Sequence, residues 1–209
     1  MKTKGIKQYL DYVSKAGDRF DIFDKITEQY AIKRALYPGS YVHITPSLII
    51  PEVYYVDTDK KAIRFFREMN EIIEFIETSK IYSEKCRIQF EPIDYWQELS
   101  IPPQYVDLLI SQFAGFVSKA CQKYLKIGGI LLANDSHGDA TMAHSDDHFA
   151  LIGILKYVKG KYQIESNKLE SYFKQRNGKP VDMEKVQKTM KGPKYSLAAD
   201  YYIFRKVKD

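Results

Sequence analysis

The stretch NDSHGDATMAHSDDH, residues 134–148, concentrates the chain's reactive side chains. It holds three of the four histidines, His137, His144 and His148, interleaved with Asp135, Asp139, Asp146 and Asp147. A histidine of unperturbed pKa, about 6.5, takes a proton at neutral pH, so His137 is a candidate general base. His144 and His148 are four residues apart. On a helix they would share one face, as in a two-histidine site for Zn, Mn or Fe. No Glu lies between them in an HExxH pattern, and the stretch reads equally as a hydrophilic loop, so no metal ligand is assigned. Three smaller groups lie upstream. Asp57 closes the apolar run VYYV, and a carboxylate at a strand end can accept from both hydroxyls of a vicinal diol. Tyr37-Pro38-Gly39-Ser40 is a polar turn, and Asp94 stands beside Tyr95 and Trp96.

These residues need elements to hold them. Residues 6–16 and 21–30 place apolar side chains at helical spacing, Ile6, Leu10 and Val13 in the first and Ile22, Ile26 and Tyr30 in the second. Residues 32–37 read as a first strand running into the Pro-Gly-Ser turn. Thr45 is placed to cap a short helix that opens on Pro46 and is interrupted by Pro51. VYYVD, 53–57, is a second, buried strand. Asp59 caps one long helix whose stripe is Ala62, Phe66, Met69, Ile73 and Ile76. Strands are expected at 86–90, 106–111 and 128–134, with a helix over 117–125 that stops at Gly128-Gly129. The tail changes character: residues 149–165 form a hairpin about Lys159-Gly160, short helical pieces follow near 168–175 and 182–190, and YYIFRKV ends the chain as a strand. Alternating strands and helices imply an α/β fold with a parallel sheet, right-handed crossovers and helices on both faces, finished by antiparallel strands.

The bulk numbers set limits. A chain of 209 residues with 44% hydrophobic content builds one sizeable domain. The expected organisation is a helical segment over 1–30 and an α/β domain over 31–209, compact as a whole. No apolar run reaches the roughly 20 residues of a membrane span, and the basic N-terminus lacks a signal-peptide core, which points to the cytoplasm. Net charge is +5, compatible with nucleotide or nucleic-acid binding without requiring it. The C-terminal YYIFRKVKD reads as the densest basic cluster. Cys86 and Cys121 fall in apolar patterns and read as buried thiols. No GxGxxG follows any strand, which argues against a nicotinamide enzyme.

Taken in order, these elements resemble the class I S-adenosylmethionine-dependent methyltransferase superfamily over about residues 30–206. The resemblance implies a Rossmann-like fold with a seven-stranded, mainly parallel sheet whose last strand, here 201–206, is antiparallel. It implies S-adenosylmethionine as cofactor and S-adenosylhomocysteine as product. The family's first motif falls on Tyr37, Pro38, Gly39 and Ser40, with one glycine where the family usually has two or three and an acidic residue. Its ribose-binding acid falls on Asp57, with Thr58 beside it. Its adenine-side polar residue falls on Asp94, with Tyr95 flanking. Gln112, Phe113 and Ala114 take the place after the fourth strand, against the cofactor. They do not form the Asn/Asp-Pro-Pro-Tyr/Phe pattern of amino-methylating nucleic-acid enzymes, so a small-molecule acceptor is favoured, with nucleic acid left open and the oligomeric state undetermined. The sparse first motif keeps open a non-catalytic binding module built on the same fold. The 134–148 cluster keeps open a metal-dependent enzyme.

Overall fold

The computed structural model describes residues 4–209. The chain divides into two compact units, residues 1–100 and 101–209. The described residues contain eight strands, one more than the seven expected. Both arms of the C-terminal hairpin, read as strands in the sequence, are among the eight; the count of seven comes from the resemblance.

The first unit begins with α1 (Lys4–Ala16) and α2 (Phe20–Tyr30), close to the expected spans. Three strands follow, β1 (Arg34–Pro38), β2 (Glu52–Val56) and β3 (Arg87–Glu91). All pair in parallel, with β2 between the other two. The link from β1 to β2 departs from the expected capped helix. Only a single 3-10 turn forms, Thr45–Leu48. Thr45 does not cap it; its hydroxyl meets Tyr9 Oη at 2.9 Å and ties the turn to α1. Asp59 does cap the helix after β2, its Oδ1 accepting from the amides of Lys61 (2.7 Å) and Ala62 (3.2 Å). That helix is broken in two, α3 (Lys60–Phe66) and α4 (Met69–Ser79). The break shifts the buried stripe, so α4 buries Ile72 and Ile76 instead of continuing through Ile73. Phe66 stacks on Phe90 of β3 at 4.2 Å, and Tyr9 meets Phe75 edge-on at 5.7 Å, which fastens α1 to α4.

The second unit holds β4 (Val106–Ser111), β5 (Leu125–Ala133), β6 (Phe149–Val158), β7 (Lys161–Glu165) and β8 (Tyr201–Lys206), in the order β4-β5-β8-β6-β7. β4 and β5 are parallel, and β8 inserts antiparallel between β5 and β6. The hairpin β6–β7 turns at Lys159-Gly160 as expected. Two expectations fail here. Gly128-Gly129 do not end a helix; they lie inside β5, whose pairing with β4 shifts register between Val106 and Leu108. The preceding helix is correspondingly short, α5 (Val117–Cys121) finished by a 3-10 turn. The stretch read as a hydrophilic loop contains a buried helix, α6 (Asp139–Ser145). Only a 3-10 turn, Leu169–Ser171, forms within 168–175, while α7 (Met183–Thr189) matches its expected piece. The basic end of the chain is only partly exposed: Arg205 and Lys208 face solvent and Lys206 does not. Lys206 is 2% exposed, its ammonium donating to the carbonyls of Gln122 and Leu125 at 3.1 Å and pairing with Asp209. Both cysteines are buried and neither is in a disulfide.

Candidate functional site

In the first unit the turn after β1 and the end of β2 are stitched together. Gly39, at φ +63°, donates its amide to Val56 O at 2.8 Å. Such a φ favours glycine, which explains the one glycine the turn retains. Asp57 accepts from Tyr41 N through Oδ2 and from Asp59 N through Oδ1, both at 2.7 Å. The carboxylate therefore holds the two loops in register. Asp57 is thus bonded locally at both oxygens. Each oxygen keeps a second lone pair, so the group can still accept from a diol. Ser40 is buried. Asp94 is exposed and accepts Trp96 N at 3.0 Å, closing a loop in which Trp96 is exposed and its ring lies 6.2 Å from that of Tyr95.

Composition did not single out His43, yet it anchors this turn. Its Nε2 lies 2.8 Å from Asp18 O, an acceptor only, so Nε2 carries the proton and Nδ1 the lone pair. Arg19 Nη1 at 3.3 Å and Tyr37 Oη at 3.2 Å face Nδ1. Burial, helped by the Arg19 charge, pushes the His43 pKa down to about 3, so the ring is neutral. Arg19 also donates to Tyr12 Oη at 3.2 Å, and the Tyr12 ring meets Tyr41 edge-on at 5.4 Å. α1 thus lies over the turn. Beside it opens a cavity of about 470 Å³ whose walls include Lys4, Lys7, Asp11, Tyr12, Lys15 and Tyr41. No local signal marks these residues in the sequence, because their partners are brought from two helices upstream.

In the second unit, the loops after β4 and β5 share hydrogen bonds. Asn134 Oδ1 accepts from Phe113 N (3.4 Å), Ser136 N (3.4 Å) and Ser136 Oγ (2.8 Å). The Ser136 hydroxyl proton goes to Asn134, so His137 Nδ1, 3.0 Å from Ser136 Oγ, is the donor in that contact. The lone pair of neutral His137 is then on Nε2. Phe113 has φ +60° and is 55% exposed, and Gly115 has φ +87°. A strained, exposed aromatic at a strand end is a feature that clusters at functional sites. Gln112 is buried.

The aspartates of the cluster divide by environment. Asp139 is 1% exposed and accepts from Ser111 Oγ and Ser118 Oγ, both at 2.5 Å, and from Ser118 N. Burial outweighs those bonds and raises its pKa to about 6. Asp135 is likewise raised to about 6 by burial, against two bonds from Thr141. The two-histidine pair is not realised: α6 ends at Ser145, so His148 is off the helix, and His144 stacks on Phe173 at 3.9 Å. Asp146, Asp147 and His148 gather instead, with potential ligand atoms within 4.8 Å of one another. His148 Nδ1 lies 2.6 Å from Asp146, and Asp147 pairs with Lys208.

No protein-family profile matches the chain, and no curated protein is similar to it in sequence. Its fold is similar to solved structures. One, from Methanococcus maripaludis, is provisionally described as an S-adenosyl-L-methionine-dependent methyltransferase (TM-score 0.50, 17% identity, 97% of this chain and 92% of that one). Another, from Klebsiella pneumoniae, is provisionally described as an O-methyltransferase (TM-score 0.51, 11% identity, 78% and 87%). A structural-genomics protein from Corynebacterium glutamicum aligns over 100% of this chain and 93% of its own (TM-score 0.52, 10% identity). At these identities the likeness is one of fold: the chain has the class I methyltransferase fold. Among the described residues no helix is long and apolar enough to cross a membrane.

Proposed function

We propose that the chain is an S-adenosylmethionine-dependent methyltransferase that holds its cofactor in the first unit. The observation that carries this is Asp57, at the end of β2 and bonded to the turn after β1, in a chain with the methyltransferase fold. The residues present fit such a group. Asp57 would accept from the ribose hydroxyls, Asp94 with Tyr95 and Trp96 would hold the adenine, and the cavity with Lys7 and Lys15 in its wall would take a carboxylate. When bound, the group supplies an electrophilic methyl on sulfur. The protein's task is then to position and orient an acceptor, which supplies much of the rate by itself. In the second unit, His137 presents Nε2 as its lone-pair nitrogen, the form in which a histidine can act as a general base. Gln112, Phe113 and Ala114 are assigned to the acceptor side on the plan of the fold.

Isothermal titration tests this directly. Wild type should bind S-adenosylmethionine and S-adenosylhomocysteine, and Asp57→Ala should weaken both by about tenfold or more, on the order of 1.4 kcal/mol. Absence of binding to wild type overturns the proposal.

A second reading, a binding module without turnover, is favoured by the closed turn. The amides of Gly39, Tyr41 and His43 all donate within the unit, to Val56 O, Asp57 and Ser40 O, and no full helix follows β1. Cofactor binding at Asp57 followed by methyl transfer to any acceptor decides against it.

A further inference from the structure

The stretch between β7 and β8 carries an unabsorbed charge. Residues 174–194 contain seven Lys and Arg (Lys174, Arg176, Lys179, Lys185, Lys188, Lys191, Lys194) against Asp182 and Glu184. That is a net +5, equal to the net charge of the whole chain. The rest of the protein is therefore balanced, and its excess is concentrated in 21 residues.

The fold turns this stretch into a hollow. Gln175 Nε2 clamps the turn beyond it by donating to Lys179 O (2.9 Å) and Pro180 O (2.6 Å). Arg176 N and Nε donate to Lys194 O and Tyr195 O, and Gln175 bridges Tyr195. Asp182 caps α7 through Lys185 N. These bonds frame a cavity of about 940 Å³ lined by Lys179, Lys185, Lys191 and Lys194, with Asn177 and Thr189 as neutral polar groups. Among the described residues none of the four lysines has an ion-pair partner. The one carboxylate in the wall, Asp182, is committed to the cap.

The hollow abuts the loop after β5. A Cβ on Gly138 would meet Val186 Cγ1 of α7 at 2.8 Å, and one on Gly192 would meet Asp135 Oδ2 at 2.0 Å. The wall residues are thus in contact with the loop that carries His137.

We infer that this cavity binds the phosphate groups of a small-molecule methyl acceptor, an assignment that rests on the methyltransferase reading. Four lysines lining one cavity match several negative charges on one ligand, and lysine binds phosphate as a point charge. The volume is that of a small-molecule site. No aromatic residue and no arginine lines it, so it lacks the stacking platform with which proteins hold single-stranded nucleic acid.

The test titrates the full chain with tripolyphosphate, with citrate and with a short single-stranded RNA, at low salt. Tripolyphosphate should bind more tightly than either of the other two. Lys185→Glu combined with Lys191→Glu should weaken tripolyphosphate by about tenfold or more while leaving S-adenosylmethionine binding unchanged. Both lysines are exposed, so the variant should fold. Equal affinity for citrate removes the phosphate preference, tighter binding of RNA makes the partner a nucleic acid, and unchanged affinity in the variant places the anion elsewhere; each overturns the inference. Lysine-dependent tripolyphosphate binding without S-adenosylmethionine binding to wild type keeps the anion site and removes the methyltransferase reading. The reverse pattern keeps that reading and removes the anion site.

Discussion

At the scale of single residues, two side chains show how burial redirects ordinary chemistry. His43 is a histidine in a polar turn, where solvent would leave it free to titrate. Here it is fully buried between Asp18 O, Arg19 and Tyr37, and serves as a fixed neutral ring that donates to Asp18 O and accepts at Nδ1. Replacing it by alanine deletes buried hydrogen bonds and the ring contacts with Tyr12, Phe23 and Tyr37. His43→Ala should therefore lower stability by about 2–4 kcal/mol, read from urea unfolding. It should also loosen the turn that presents Asp57. Asp57 itself was legible, because a strand of β-branched and aromatic residues ending on a carboxylate is a pattern in sequence. His43 was not, because Asp18 and Arg19 reach it only through the packing of α1 and α2.

At the scale of elements, periodicity located most strands and helices but not their interruptions. The stripe from Ala62 to Ile76 is continuous on paper, yet the chain breaks between α3 and α4 and changes which isoleucine is buried. Residues 139–145 are polar enough to pass for a loop. They form a helix because Ser111 and Ser118 satisfy Asp139 inside the unit. The contact between the 191–194 stretch and the loop after β5 depends on a glycine. Gly192→Ala would drive a methyl group into the Asp135 carboxylate, which Thr141 holds in place. It should cost about 2–4 kcal/mol by chemical denaturation. Gly178→Ala is the control. Its φ is +67° with nothing within 4 Å of a new Cβ, so only the left-handed backbone is penalised, by about 1 kcal/mol.

At the scale of the molecule, two buried groups tilt stability in opposite directions with pH. Asp139 has a folded pKa raised to about 6, above its unfolded value of about 3.9. The folded state keeps the proton longer, so this group stabilises at low pH and the contribution is lost as pH rises from about 4 to about 6, on the order of 2–3 kcal/mol. His43 has a folded pKa depressed to about 3. Its contribution is present above about 6.5 and is lost as pH falls toward 3. The two slopes oppose each other across pH 4–6, and Asp135, likewise raised to about 6, adds to the fall. Asp139→Asn should leave a profile that falls less steeply with pH over that window than wild type, because Asp135 keeps its own raised pKa. His43→Ala should leave one that falls. Urea midpoints measured at several pH values check both, and parallel profiles for the two variants would contradict the assignment.

The α/β class, the order of strands, the antiparallel end, the hairpin at Lys159-Gly160 and the acidic end of β2 follow from the sequence alone. They rest on local periodicity and turn chemistry, which neighbouring residues carry. Tertiary structure alone decided that the turn after β1 is closed by its own amides, that His148 leaves the helix of His144, and that Asp139 is buried and Lys206 is not a surface charge. It also gathered four of the lysines of 174–194 around one hollow beside the His137 loop. Each of these depends on contacts between residues far apart in the chain, where burial and hydrogen-bond partners, and not residue type, determine what a side chain can do.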